Sequence, residues 1–523
     1  MIDEKIIKSD SSRQDTLLAI DDVSLTFKKN VGIYLSKPNV RPEPVLFPSP
    51  MESNAPDNQA AYFYGTVLFD EGKFRMWYYA GHRGKNPDWP PRMMQQVAKQ
   101  PEWFSGGECN NYQGPLCYAE SDDGITWTKP ALGQVLFKGS NENNALALPH
   151  TSVSGATVIK DMDDSDPARR YKMIYQFFPD RSDPVIDEYG NITTVALAVS
   201  PDGLNWTVTG MPFLNQFVEH SSFIKHNDYY ILHYHAVGTK AFYCAEGGTP
   251  CGRTGVARVS PDFRFWPDLI AKSFALPEPE DRNLRGQSGL YDQVHLGVGA
   301  TSFGNVCVGL YGLWHNADFD KAFEKISGDF GLLVSNDGIH FREPVEGHRF
   351  LRREDSLATP VPGHNFNTVL TQANGILNVG DETRIYHGRW RNAGGHVEDD
   401  KYSSGEIALA TLPRDRWGAL RLNPGSNEGI VCSAPIILPD TVKCIVVNGD
   451  IVAGLKVDIL DEQFNPIPGF TNGRINGEDG LDCGVEWQGH TLADLAGQTV
   501  RLQINLCLLE DKSPGLYAVY IRK

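Results

Sequence analysis

The sequence predicts an all-β chain, a five-bladed β-propeller followed by a C-terminal β-sandwich. Three observations predict it. A seven-residue phrase recurs as SDDGITW from Ser121, SPDGLNW from Ser200, SPDFRFW from Ser260 and SNDGIHF from Ser335. Each copy follows a short apolar run: LCYAE, VALAV, GVARV or GLLV. Third, 51 glycines, 33 prolines and 11% aromatic residues in 523 favour many short strands joined by turns.

In each copy the Ser and Asp side chains suit the backbone amides of a tight turn. Gly supplies a positive φ, and the closing aromatic packs back on the sheet. These aspartates therefore read as structural. Upstream of each copy lies a second hairpin: TVLFDEGKFRMWYYAG, ATVIKDMDDSDPARRYKMIYQF, SSFIKHNDYYILHYHA and GATSFGNVCVGLYGLW. A fifth hairpin, GILNVGDETRIYHGRW, precedes GEIALATLPRDRWGALRL, where LPRDRWG replaces the repeated turn. Two hairpins make a four-stranded blade, and five blades close a ring in which each buries its neighbour's face.

The predicted boundaries are an N-terminal extension over 1–20, a propeller over 21–422 and a sandwich over 430–523. The sandwich rests on the alternating runs LKVDILDEQFNPIPGF, TVRLQINLCLL and LYAVYIRK. Inserts rich in Pro, Gly and charge at 84–114, 179–192 and 276–290 read as loops, and FDKAFEKI (319–326) as a short helix.

Composition narrows the function classes. Apolar residues make up 41% of the chain and charged residues 22%, as in ordinary globular proteins. A formal charge of −17 repels phosphate backbones, so nucleic acid is not an expected partner. No run reaches the roughly eighteen apolar residues that would span a bilayer, so no membrane partner is expected. The opening MIDEKIIKSDSSRQD has no apolar h-region, which predicts a cytoplasmic protein without a signal peptide. Nine cysteines, an odd number without a CxxC, read as free thiols. The close pairs Cys109/Cys117 and Cys244/Cys251 are the ones able to bridge loops under oxidising conditions.

The five blades, the S-x-D-G-x-x-W turns, the TLPRDRWGAL ending and a sandwich carrying W-x-G and LYA-x-x-I together resemble one group. They are similar to bacterial proteins related to the propeller of glycoside hydrolase family 32, within the wider family 32/43 β-fructosidase and arabinosidase group. The resemblance implies a glycosidase of the EC 3.2.1 type, with carboxylates at the entrances of the innermost strands facing a central funnel. The family 32 signatures W-M-N-D-P-N-G and R-D-P do not occur here, so no catalytic residue is transferred by motif. Fold alone does not establish activity.

Paired-carboxylate chemistry needs two carboxyl groups across a sugar. Aligning the blades by their first hairpins places Glu52 and Asp57 at the inlet of blade one, Glu219 and His220 at blade three, Asp292 and His295 at blade four, and His364 at blade five. Glu219 lies between apolar residues, where desolvation raises a carboxyl pKa, and is the candidate acid. Asp57 or Asp292 then serves as base or nucleophile. The competing reading for each acid is a turn carboxylate satisfied by backbone amides. Loops after the second strands contribute His82, Arg83, His235, Trp314, His315, Arg389, Trp390 and Arg391. With His220 these form the predicted substrate-binding set, the aromatics stacking on sugar and the arginines clamping an anionic group.

No metal or other cofactor is expected, because the histidines lack ligand spacing. The expected partner is a small carbohydrate, and the sandwich offers a surface for a homo-oligomer. The expected activity is hydrolysis of a short glycoside, furanosidic and, if the arginines act as clamps, anionic; a phosphorylase or transglycosidase and a non-catalytic sugar-binding propeller are the alternatives.

Overall fold

The computed structural model describes residues 14–83, 111–150, 153–177, 194–213, 218–237, 253–276, 297–315, 326–393, 402–477 and 479–523. The inserts and the FDKAFEKI segment lie wholly or largely outside the described residues, as do Asp292, His295, Cys109, Cys244 and Cys251.

The ring has five blades. Blade one is built from Ala60–Asp70, Lys73–Arg83 and Asn111–Ser121. Blade two has Val153–Lys160, Tyr171–Phe177, Thr194–Ser200 and Thr207–Gly210, and blade three Glu219–His226, Tyr229–Val237, Arg253–Ser260 and Ala271–Phe274. Blade four has Gly299–Ser302, Cys307–His315 and Ser327–Ser335. In blade five, Thr368–Thr371 and Ile376–Val379 both pair with Glu382–Arg391, which pairs with Ser404–Pro413. The innermost strands touch one another in sequence from blade one to five and back to one.

Side chains on these inner strands join neighbouring blades. Thr66 Oγ1 accepts from Val158 N at 2.8 Å, and the Gln176 side-chain oxygen accepts from His220 N at 3.2 Å. Ser222 Oγ donates to Val298 O at 2.6 Å, and Thr301 Oγ1 to Ile376 O at 2.9 Å. Blade five returns to blade one through Asn374, whose N–H donates to Gly65 O and whose carbonyl accepts from Val67 N. The Asn374 side chain also reaches past blade four to blade three, bonding Phe223 O at 2.6 Å and Phe223 N at 3.1 Å. It forms a polar bar across the channel.

The repeated phrase is a latch between blades. In its first copy Asp123 Oδ1 accepts from Ile125 N and Thr126 N at 2.7 Å, and Trp127 Nε1 donates to Gly124 O. The aspartate–amide bonds recur around Asp202, Asp262 and Asp337, so these aspartates are structural as expected. The carbonyl of the turn glycine then meets the second strand of the preceding blade. Gly124 O accepts from Tyr386 OH, Gly203 O from Trp77 Nε1, and Gly338 O bonds His233 Nε2 at 2.7 Å. A Cβ at Gly124 would lie 2.4 Å from the Tyr386 hydroxyl, on a backbone with φ +73°. Glycine is required there both for conformation and for space.

The predicted boundaries need correction. Residues 14–35 are not an extension plus propeller: Gln14–Leu18, Phe27–Lys29 and Val31–Leu35 all join the sandwich sheets. Gly418–Leu422 pairs with Val31–Leu35 rather than completing blade five, because Leu420 and Leu422 are buried in the sandwich core. The outer strand of blade five is Asn39–Val40, which pairs with Ser404–Pro413 and closes the ring with chain from before blade one. The propeller thus spans residues 39–413. One apolar cluster containing Leu18, Phe330, Ile385, Trp417 and Tyr520 runs through blades four and five into the sandwich, so the two parts share a core. Among the described cysteines all six are free. No described helix is long and apolar enough to cross a membrane.

Candidate active site at the upper mouth of the channel

The upper mouth is the face where inner strands begin and second strands end. Antiparallel pairing sets Glu219, the first residue of its strand, opposite His235. Their side chains meet: His235 Nε2 lies 2.7 Å from Glu219 Oε2, with the imidazole 2% exposed and the carboxylate 25% exposed. Glu219 is therefore held by a buried ring while part of its own surface stays exposed.

Other blades complete the surroundings. Gly155 of blade two lies against the His220 ring and Tyr64, where a Cβ would fall 2.8 Å from His220 Cε1. Blade one supplies an aromatic wall, Tyr62 stacked on Tyr79 at 5.0 Å and Tyr64 on Tyr79 at 6.4 Å. Trp390 of blade five meets Tyr62 and Tyr64 edge-on at 5.1 and 5.5 Å, and packs with Trp314 and Val369. The Tyr79 hydroxyl is pushed well above its usual pKa by burial, then by Tyr62, Tyr64 and the Glu219 charge. It remains neutral.

His220 is 2% exposed, and neither of its ring nitrogens has a hydrogen-bond partner. Burial pulls its pKa down to about 3, with Glu219 opposing and His235 adding to the shift. A neutral imidazole with two unpaired nitrogens results. Ser154 Oγ, Thr157 Oγ1, Thr371 Oγ1 and Trp390 Nε1 are likewise buried without partners. Such groups cost about 1–3 kcal/mol each when left dry and suit a ligand rich in hydroxyls.

Several sequence candidates lie elsewhere. Asp57 is fully buried inside blade one, accepting from Ser49 Oγ at 2.6 Å, Tyr78 OH at 2.8 Å and Lys129 Nζ at 2.5 Å. Its carboxylate is committed to that network, and Glu52 is exposed outside it. His82 is buried edge-on to Phe137 at 4.8 Å. Arg389 donates to Ser356 Oγ, Pro42 O and Arg41 O, each at 2.8 Å. Arg391 donates to Tyr402 O and Thr359 O. Both guanidinium groups tie loops together, which removes them as anion clamps. Arg83 and His315 are half-buried at the ends of their strands. Sequence reasoning missed Tyr62, Tyr64 and Tyr79, although QAAYFYG was the stretch scanned for acids.

A cavity of about 410 Å³ lies at the other end of the channel, lined by Asp70, Lys160, Lys225, Asn374 and Thr16. Its charges are already paired: Asp70 with Lys160 and Tyr171, and Lys225 with Asp161 at 2.8 Å. No group of three or more metal-ligating side chains occurs among the described residues.

No protein-family model matches the chain, and no curated protein is similar to it. Solved structures are similar to it at a low level. A glycosyl hydrolase from Bacteroides ovatus is 14% identical, with TM-score 0.41 over 74% of this chain and 94% of that one. The β-1,2-mannobiose phosphorylase from Listeria innocua, solved with β-1,2-mannobiose, is 14% identical, with TM-score 0.42 over 74% and 97%. A family 43 arabinoxylan arabinofuranohydrolase from Bacillus subtilis, solved with cellotetraose, is 9% identical, with TM-score 0.38 over 92% and 99%. Likeness at this level assigns neither family nor activity.

Proposed function

We propose that this protein is a glycosidase that cleaves a short, uncharged glycoside, furanosidic in type, at the upper mouth, with Glu219 as general acid. One observation carries the reading: a part-exposed carboxylate held at 2.7 Å by a buried imidazole, beside aromatic faces and unpaired polar atoms. Aromatic rings suit the C–H face of a sugar, and the unpaired atoms suit its hydroxyls. With Arg389 and Arg391 bonded to loop carbonyls, the anionic substrate expected from sequence loses its support.

The acid protonates the leaving oxygen as the glycosidic bond breaks, while a second carboxyl activates water or attacks the anomeric carbon. With Asp57 bound to Lys129, that second role is assigned to Asp292 on sequence position alone. Glu219→Gln lowers kcat by about 10²–10⁴-fold on glycosides with poor leaving groups, and spares activated aryl glycosides. Asp292→Asn removes activity on both. Unchanged turnover in Glu219→Gln refutes the assignment.

A phosphorolytic reading has one observation in its favour: the other described inlet candidate, Asp57, has its carboxylate bound to Lys129. Attacking phosphate would replace the second carboxyl. Products analysed with and without inorganic phosphate separate the two, since phosphorolysis yields a sugar phosphate and hydrolysis the free sugar. Binding without turnover of any glycoside leaves a sugar-binding propeller.

A further inference from the structure

The imidazole behind Glu219 has a role beyond the substrate contact expected of it from sequence. We infer that His235 is a positioning residue, which keeps its hydrogen on Nε2 and donates it to Glu219 Oε2, so that Oε1 alone carries the transferable proton. The inference rests on the glycosidase reading and deepens it.

Three observations support this. His235 and Glu219 are register partners on adjacent strands, so the 2.7 Å contact is fixed by the sheet and not by a mobile side chain. The imidazole is almost fully buried while the carboxylate is not, so the ring stands behind the acid rather than in the path of a ligand. And the blade-four inlet closes on the ring. A Cβ at Gly297 would lie 3.3 Å from His235 Nδ1 and 1.8 Å from Ser221 Oγ, so no side chain fits there. Gln372 Nε2 holds Gly297 O at 2.7 Å, which fixes that backbone.

The described titratable groups facing the pair are neutral ones. From blade one comes Tyr79, kept protonated by burial, with Tyr62 and Tyr64 behind it. From blade three comes His220, neutral for the same reason. The ring N–H at 2.7 Å favours the carboxylate form. When Oε1 gives its proton to the leaving oxygen, the new negative charge strengthens the Nε2–H···Oε2 bond.

The test is the basic limb of the kcat/KM–pH profile, which follows loss of the Glu219 proton. His235→Leu removes the donor, so the limb moves to higher pH by about one unit, and kcat falls at least about 10-fold as Oε1 loses its orientation. His235→Gln, which keeps an N–H donor, restores the limb towards its original position. His235→Asn, too short to reach Oε2, replaces the leucine variant if that chain does not fold. A limb that stays in place or moves to lower pH in the donor-free variants overturns the inference. Titration of the Glu219 carboxyl by ¹³C NMR, assigned with Glu219→Gln, reads the same shift without turnover. Absence of glycoside cleavage therefore defeats the glycosidase reading while leaving this one open to its own result.

Discussion

The two mouths of the channel are built from the same five strands and end in opposite chemistry. At the lower mouth ion pairs join neighbouring blades, and the pairing repeats from blade one to blade three. Asp70, ending the inner strand of blade one, meets Lys160 and Tyr171 of blade two. Asp161 meets Lys225 and Tyr230 of blade three in the same way, and takes the fully buried Lys172 at 2.9 Å as well. At the next interface His226 bonds Ser302 Oγ and Cys307 Sγ of blade four, a neutral version of the same contact. The upper mouth sets Glu219 beside buried imidazoles, tyrosines and, at His220 and Trp390, polar atoms without partners among the described residues. Stability is concentrated at one end and unsatisfied binding capacity at the other, as expected when a site forgoes local pairing that the scaffold makes up elsewhere.

This contrast can be broken from the lower side first. Asp161→Asn removes one of the two carboxylates on the buried Lys172, leaving Asp164 at 2.9 Å, and weakens the contacts to Lys225 and Tyr230, so it costs about 3 kcal/mol of stability while turnover per folded molecule is unchanged. Urea midpoints combined with activity of the folded fraction check both parts. If catalysis falls in step with stability, the two mouths are not independent. A smaller effect is expected from Asn374→Ala, which leaves Phe223 N–H and C=O unpaired. The loss is about 2 kcal/mol, read by thermal unfolding.

Acid sharpens the contrast with the smallest change. His220, His233 and His387 are drawn down by burial to about 3, 4 and 3. Their folded pKa values lie below the unfolded one, so the unfolded chain binds more protons, and stability is lost as pH falls below about 6.5. From pH 7 to 6 the loss is under about 1 kcal/mol per histidine. Asp161 behaves differently. Burial raises its pKa, but bonds from Lys225, Tyr230 and Lys172 outweigh this and hold it far below the usual carboxylate range. Its contribution is present above about pH 4 and is lost below that. Melting curves between pH 7 and 5 that do not move refute the histidine term.

The repeated turns were legible because their chemistry is local: Asp123 bonds amides two and three residues away. Glu219 was legible for a related reason, since the hairpin that places it opposite His235 is continuous in sequence. Asp57 was not, because its cation, Lys129, is 72 residues away. The arginines misled for the same reason, Arg389 bonding carbonyls 347 and 348 residues distant. The aromatic wall needed blades one and five side by side.

Alone, the sequence determined the ring of blades, the latching turns and the place of Glu219 at the start of blade three, because each is encoded within a hairpin's length of chain. Only the tertiary structure decided which polar groups are already paired, that the first strands belong to the sandwich, and that ion pairs join the blades at one mouth. Those outcomes depend on contacts across hundreds of residues, and hydrogen-bonding capacity is settled by whichever partner folding brings within 3 Å or so.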